Sequence, residues 1–324
     1  MNKVRLCDIA REAGVSTASV SNALKRKGGV NPDKAEEIRY LAARMGYNVG
    51  GDQERRRMRF MMYRKHGKVV MDTAFFAQLL EGVQDECRRL NCDLMINHVR
   101  AGDDISHMLD MPLLLLATEM SSEDLKPFKA INHPLLLLDS DFRFEPVSSV
   151  TIDNCEAGYI AARELIARGH KKIGFLDSAL SFNNMTDRFS GFEQALRENG
   201  LAPFSRVKLE PTVDGADRDM SDYLASKPLL PTAFFAGNDI IAVGVSMALK
   251  RAGYHLPEDL SIIGMDDMPM CRVVEPTLST VRVDKQRLGA LAVSRLIDIM
   301  EGKTGVLRTR MGVSYIERGS VRSL

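Results

Sequence analysis

Two runs of four leucines, at 113–116 and 135–138, constrain this chain more than any other feature. Each is too short for a helix and has no polar face, so it suits a strand covered on both sides, as in a parallel sheet. Comparable runs at 60–63, 93–97, 150–153, 173–177, 207–209, 233–236, 261–265 and 279–283 also read as strands. Between them, stretches at 74–90, 156–168, 187–199, 239–252 and 285–300 have helical spacing. In the first of these, Phe75, Leu79, Leu80, Val83 and Cys87 share one face. Such alternation implies parallel strands joined by crossover helices, and 324 residues suit two doubly wound halves better than one sheet.

Residues 1–48 follow a different rule. The stretch 6–13 has helical spacing, Gly14 breaks it, and Ser16 is placed to accept a hydrogen bond from the first amides of a second helix. In that second helix Val20 and Leu24 turn inward, which leaves Thr17, Ala18, Ser21, Asn22 and Lys25 outside. Asn31 and Pro32 open a third helix whose inward positions are Ala35, Ile38, Leu41, Ala42 and Met45, and Gly46 ends it. This is a helix-turn-helix unit, and short polar side chains on its second helix suit the edge of a DNA base pair.

The net charge of +1 hides an asymmetry: residues 1–65 carry +8 and the remainder −7. A basic unit on an acidic body fits a chain in which only the first meets phosphate. No apolar run approaches the roughly 18 to 20 residues needed to cross a bilayer, and no hydrophobic signal region opens the chain, so a cytoplasmic protein is expected. The five cysteines are scattered without a C-x-x-C pair, which points to neither a disulfide framework nor a metal site and leaves them as core or surface thiols. No nucleophile accompanies a base and an orienting group, and neither G-x-S-x-G nor a P-loop occurs, so no enzyme and no cofactor are expected.

The segments D-I-A-R-E-A-G-V-S-T-A-S-V-S-N-A-L, V-N-P-D-K and M-G-Y-N together resemble the headpiece of the lac repressor and purine repressor (LacI/GalR) family of bacterial transcriptional regulators, without a gap from Val4 to Asn48. The resemblance implies base contacts from Thr17, Ala18 and Asn22. It implies phosphate contacts from Ser16, Ser19, Ser21, Lys25, Asn31 and Tyr47. In that family the linker forms a hinge helix whose Leu wedges into the minor groove. Here residues 49–58 contain no Leu, and Gly50 and Gly51 each disfavour a helix by about 1 kcal/mol. The cluster Arg55, Arg56, Arg57 is the candidate for a narrow minor groove instead, with less bending of the DNA.

Residues 59–324 form the body, which to about residue 319 resembles the family's effector-binding body, itself similar to periplasmic sugar-binding proteins. That likeness implies an N-lobe of 59–147 and 279–304 and a C-lobe of 148–278 and 305–324. Polar residues stand at strand ends, where a ligand in the cleft between such lobes would need them. The family places effector contacts at Asp139, Arg188, Asn238 and Asp266, and Phe76 matches an aromatic that packs on the ligand. Two departures fall in the N-lobe: only a short helix at 104–109 fits between the second and third strands, and the loop after the first strand reads Arg64-Lys65-His66.

The expectation is therefore a homodimeric repressor that binds double-stranded operator DNA under control of a small molecule, a sugar or sugar derivative. No C-terminal tetramerising helix is expected. Two alternatives remain at this point: the same repressor controlled by a protein corepressor, or a sugar-transport binding protein.

Overall fold

The computed structural model describes residues 4–24, 28–47, 55–68 and 74–324, and the chain divides at Arg55 into two compact units. In the first unit, α1 (Leu6–Ala13), α2 (Thr17–Leu24) and α3 (Pro32–Arg44) enclose a small core of Ile9, Ala13, Val20, Ala23, Ile38 and Ala42. Gly14 closes α1 at φ +63°, a left-handed conformation that costs glycine little. Ser16 Oγ then accepts from the Ser19 amide at 3.1 Å, and Asn31 Oδ1 accepts from the Asp33 amide at 2.9 Å, so both caps fall where the sequence puts them.

In chain order the second unit opens with β1 (Arg56–Arg64), α4 (Ala74–Arg89), β2 (Cys92–Arg100), β3 (Leu113–Leu116), the one-turn α5 (Ser122–Leu125), β4 (Leu135–Leu138) and β5 (Ser148–Ile152). It continues through α6 (Asn154–Ala167), β6 (Ile173–Ser178), α7 (Asn183–Glu198), β7 (Arg206–Leu209), α8 (Val213–Ala225), β8 (Ala233–Ala236), α9 (Asp239–Arg251), β9 (Ser261–Asp266) and β10 (Ser279–Arg282). Finally come α10 (Lys285–Met300), β11 (Arg308–Met311) and β12 (Ser314–Ile316).

Two six-stranded sheets result, in the orders β11-β5-β4-β3-β1-β2 and β12-β10-β9-β8-β6-β7. Among the described residues every pairing is parallel except β10 with β12. The leucine runs are β3 and β4, neighbours near the middle of the first sheet. Leu114, Leu116, Leu136 and Leu138 face one core, and Leu113, Leu115 and Leu137 face the other. Each buried leucine stabilises the sheet by roughly 1.5–3 kcal/mol, which explains why the sequence carries no polar face there.

The lobe boundaries differ from those implied by the resemblance. β5 and β11 add to the first sheet, and β10 adds to the second, so the chain crosses after residues 152, 282 and 311 rather than at 147/148, 278/279 and 304/305. The reason is geometric: each crossing leaves from the carboxyl end of a completed strand, and the strand stays with the sheet its hydrogen bonds join. An apolar run marks a strand without marking its sheet.

The linker expectation also shifts. β1 begins at Arg56, so Arg56 and Arg57 are strand residues in register with Cys92 and Asp93, and Arg56 ion-pairs with Glu301. Both side chains are exposed at the start of that strand, which begins within the 49–58 expected for the linker. Arg55 directly precedes the strand. Gly50, Gly51 and the rest of 48–54 lie outside the described residues. The expected helix at 104–109 is a single 3-10 turn, Ser106–Met108. α8 went unforeseen because Asp214, Asp217, Arg218 and Asp219 dilute its apolar positions Ala216 and Met220.

Candidate functional site

On the first unit, Thr17 and Ala18 are exposed and Ser21 and Asn22 half-buried along the outer side of α2. Ser16 and Asn31 are exposed, with their side-chain oxygens engaged as helix caps; Ser19 is half-buried, its Oγ 2.9 Å from that of Ser16. Tyr47 packs half-buried against the three-helix core, and Lys25 lies outside the described residues.

In the second unit the sheet ends meet in a cleft lined by Phe76, Asp139, Arg188, Asn238 and Asp266, the residues expected for an effector, together with Phe75, Thr118, Phe182, Asn184, Ile240 and Met268. Its carboxylates stand on strained backbone: Asp139 has φ +61° and Asp266 φ +112°, conformations that L side chains rarely adopt. Such strain persists only where the surroundings over-determine it, and it concentrates at binding sites.

Those surroundings are visible. Thr118 Oγ1 donates to Asp139 Oδ2 at 2.7 Å, and Asn184 Nδ2 donates to the Asp139 carbonyl at 3.0 Å. Lys285, itself buried, donates from Nζ to the carbonyl oxygens of Asp266, Asp267 and Val283. Arg188 is fixed from two sides: Nε donates to Asn154 Oδ1 at 2.8 Å and Nη1 to the Gly237 carbonyl at 2.5 Å. Nη2 then stands 3.9 Å from Asp266 Oδ1, an ion pair too long for a hydrogen bond. The close backbone contact of α6 with α7 sets this geometry, since a Cβ on Gly158 would overlap the Arg188 carbonyl and one on Gly191 the Cys155 carbonyl.

Burial raises the Asp139 carboxyl to about 6, with the Thr118 hydrogen bond and the Arg188 charge opposing. Burial also raises Asp266, against the pull of Arg188 and Lys285. Beneath the cleft, Asp239 is pushed up to about 7 by burial and then by Asp266; it accepts from the Met268 amide at 2.8 Å and Thr280 Oγ1 at 2.7 Å. Asp139 Oδ1 and Asp266 Oδ1 are buried with no hydrogen-bond partner. Orphaned carboxylate oxygens are costly, and the cleft is where a donor would satisfy them.

The cleft encloses about 50 Å³. That is room for a few waters only. An apolar cavity of about 450 Å³ adjoins it through Ile240 and Met268, and Lys68, Pro211, Val213 and Met270 are also in its wall.

Thr118, Asn154, Asn184 and Lys285 were missed from the sequence. Thr118 stands two residues past the leucine strand β3, so the strand-end rule would have found it. Lys285 reads as an ordinary first-turn lysine after the cap Asp284, and nothing local gives it away. The Arg64-Lys65-His66 loop is held from beneath: Glu119 Oε2 accepts from the amides of Lys65, His66 and Gly67 at 2.6, 2.8 and 3.2 Å. Among the described residues, no group of three or more His, Cys, Asp or Glu is placed to hold a metal ion, and no helix is long and apolar enough to cross a membrane.

Residues 162–321 match the family described as periplasmic binding protein-like domain. The chain is 29% identical to the HTH-type transcriptional repressor PurR of Haemophilus influenzae over 336 residues, which cover 98% of each protein. Its fold superimposes with a TM-score of 0.75 on the lac repressor dimer bound to operator and the anti-inducer ONPF, at 21% identity over 99% of this chain and 100% of that one. A LacI family transcriptional regulator from Enterococcus faecium with bound ribose gives a TM-score of 0.71 at 23% identity, covering 82% and 99%.

Proposed function

We propose that the chain is a member of the lac repressor and purine repressor family of bacterial transcriptional regulators, a transcriptional repressor whose hold on operator DNA is set by a small hydroxylated molecule bound between its lobes. Its relatives are repressors rather than enzymes. Thr17, Ala18 and Asn22 read base edges, with Asn22 carrying most of the directional hydrogen bonding. Ser16, Ser19, Ser21, Lys25, Asn31 and Tyr47 hold phosphates and fix register. The working form is a cytoplasmic homodimer with two DNA-binding units on two half-sites; Met95 and Ile96, exposed on the edge strand β2, are apolar surface that a second copy would cover.

One observation carries the ligand reading: two buried carboxylate oxygens, on Asp139 and Asp266, lack donors and face the same small cleft. Hydroxyl groups supply donors to both. Arg188 offers a fixed donor beside Asp266, and Asn238, whose Oδ1 caps α9 at the Ile241 amide, keeps its amide nitrogen for the ligand. The ribose carried by the Enterococcus faecium relative is of this chemical class. Phe75 and Phe76, edge to face at 5.0 Å, provide an apolar wall, and the adjoining cavity takes an apolar substituent. Binding selects one lobe arrangement, and the linker passes the difference to the DNA-binding units.

A thermal-shift screen of sugars, glycosides and nucleosides tests this reading. A ligand that raises the melting temperature of the native chain but not of Arg188→Gln supports it; equal shifts in both exclude the cleft. A protein corepressor gains no observation, since the Arg64-Lys65-His66 loop is tied to Glu119. A transport binding protein has no use for a three-helix unit with a polar recognition helix.

A further inference from the structure

Donors and acceptors in the cleft are unequally matched. Among the described residues lining it, Arg188 is the single cation, set against the carboxylates of Asp139 and Asp266. Most of the donors there are already spent. Arg188 gives Nε to Asn154 Oδ1 at 2.8 Å and Nη1 to the Gly237 carbonyl at 2.5 Å, which leaves Nη2 beside Asp266. Thr118 Oγ1 donates to Asp139 Oδ2 at 2.7 Å, and Asn184 Nδ2 to the Asp139 carbonyl at 3.0 Å. The Ile241 amide, in the first turn of α9, goes to Asn238 Oδ1 at 2.8 Å, and the Met268 amide to Asp239 Oδ2 at 2.8 Å.

The nearby lysines add nothing. Lys285 is 3% exposed, and its ammonium has three protons for the three carbonyls of Asp266, Asp267 and Val283, the last two at 3.4 Å. Lys68, in the wall of the adjoining cavity, is paired with Glu210 at 3.2 Å. Acceptors are left over instead: Asp139 Oδ1 and Asp266 Oδ1 are buried with no donor. Burial raises the Asp139 carboxyl only to about 6, so it is ionised at neutral pH and above.

A hydroxyl suits such a site, since it donates to a carboxylate through its proton and accepts from Arg188 Nη2 or the Asn238 amide nitrogen through its oxygen. An ionised phosphate or carboxylate only accepts. It leaves both orphaned oxygens unsatisfied and sets like charges together where water does not screen them. On the reading of this cleft as the effector site, we infer that Asp139 and Asp266 make it select against anions: the effector is an uncharged hydroxylated molecule, and its phosphorylated or carboxylated derivatives are rejected. A kinase reaction that consumes the effector therefore ends its signal.

Calorimetry on the full chain at neutral pH tests this with matched compounds: ribose, glucose and adenosine, each beside its monophosphate ester, and glucose beside glucuronate. An uncharged member should bind, and its ionised counterpart should bind about 100-fold more weakly or worse. Asp139→Asn keeps the shape and removes the charge, so it should take that counterpart roughly tenfold tighter than the native chain does. Circular dichroism melts verify that the variant is folded. An ionised member that binds as tightly as its uncharged partner, or a rejection that Asp139→Asn leaves untouched, overturns the selection while the cleft remains the effector site. No binding from either set, nor from any compound of the thermal-shift screen, contradicts the cleft reading, and the selection falls with it.

Discussion

Asn184, in the first turn of α7, donates from Nδ2 to the main-chain carbonyl of Asp139 at the end of β4, at 3.0 Å. The two residues belong to opposite lobes, so this bond and that from Asn183 Nδ2 to the Asp141 carbonyl, also 3.0 Å, tie the lobes together at the cleft. The left-handed backbone at Asp139 is what aims that carbonyl across the gap.

Replacing Asn184 by Ala should therefore favour the parted arrangement. A hydrogen bond of this kind contributes about 0.5–1.5 kcal/mol, or roughly 2- to 12-fold in the balance between arrangements. Ligand affinity by calorimetry should weaken within that range, and the radius of gyration without ligand should increase. Unchanged affinity and radius would remove Asn184 from the latch.

The carboxyl of Asp139 sets a pH dependence. Its folded-state value is raised to about 6, so its contribution to stability is full below the unfolded value near 3.9 and is lost as pH rises through 6. Asp139→Asn should consequently raise the melting temperature at pH 7.5, by an amount on the order of 2 to 3 kcal/mol in stability, and lose that advantage by pH 4. Ligand binding should show the opposite trend, weakening below pH 6 as the carboxylate acceptor takes a proton. A pH-independent difference between variant and native chain would contradict the assignment.

How much of this was legible in the sequence depended on the physics behind each signal. Leu113–Leu116 and Leu135–Leu138 declared themselves as strands because burial on both faces removes every polar residue. The caps at Ser16 and Asn31 were readable because helix ends need acceptors at fixed offsets. That Arg56 and Arg57 open β1 was not legible, since charge on a strand's first exposed residues looks the same as charge on a linker. β5 and β11 were placed on the wrong lobe because sheet membership is decided by long-range pairing, which leaves no local mark. Asp139, Arg188, Asn238 and Asp266 do line one cleft, yet Lys285, which holds the backbone beneath Asp266, carried no local signal.

The first unit has a very small core, so Ile38, fully buried against Ile9 and Val20, should be indispensable to it. Ile38→Ala should cost about 2–5 kcal/mol, enough to unfold a unit of this size. DNA binding should disappear while calorimetric ligand binding by the second unit persists. Loss of both would mean that the units do not fold separately.

Asn22 and Lys25 separate base reading from phosphate holding. Asn22→Ala should cost about 1–3 kcal/mol on the preferred operator and relax base choice at one position. Lys25→Ala should weaken all sequences alike and reduce the salt slope by about 1. Equal losses for Asn22→Ala on operator and random DNA would take it out of the base-reading set.

The central claim, that occupancy of the cleft sets the grip on DNA, is tested most directly by fluorescence anisotropy. Affinity for a palindromic duplex selected from a random pool would be measured with and without a saturating cleft ligand. A coupling of about 1–3 kcal/mol, seen as a roughly 5- to 150-fold change in Kd, is the predicted result. An identical Kd with the cleft empty and full would contradict the account.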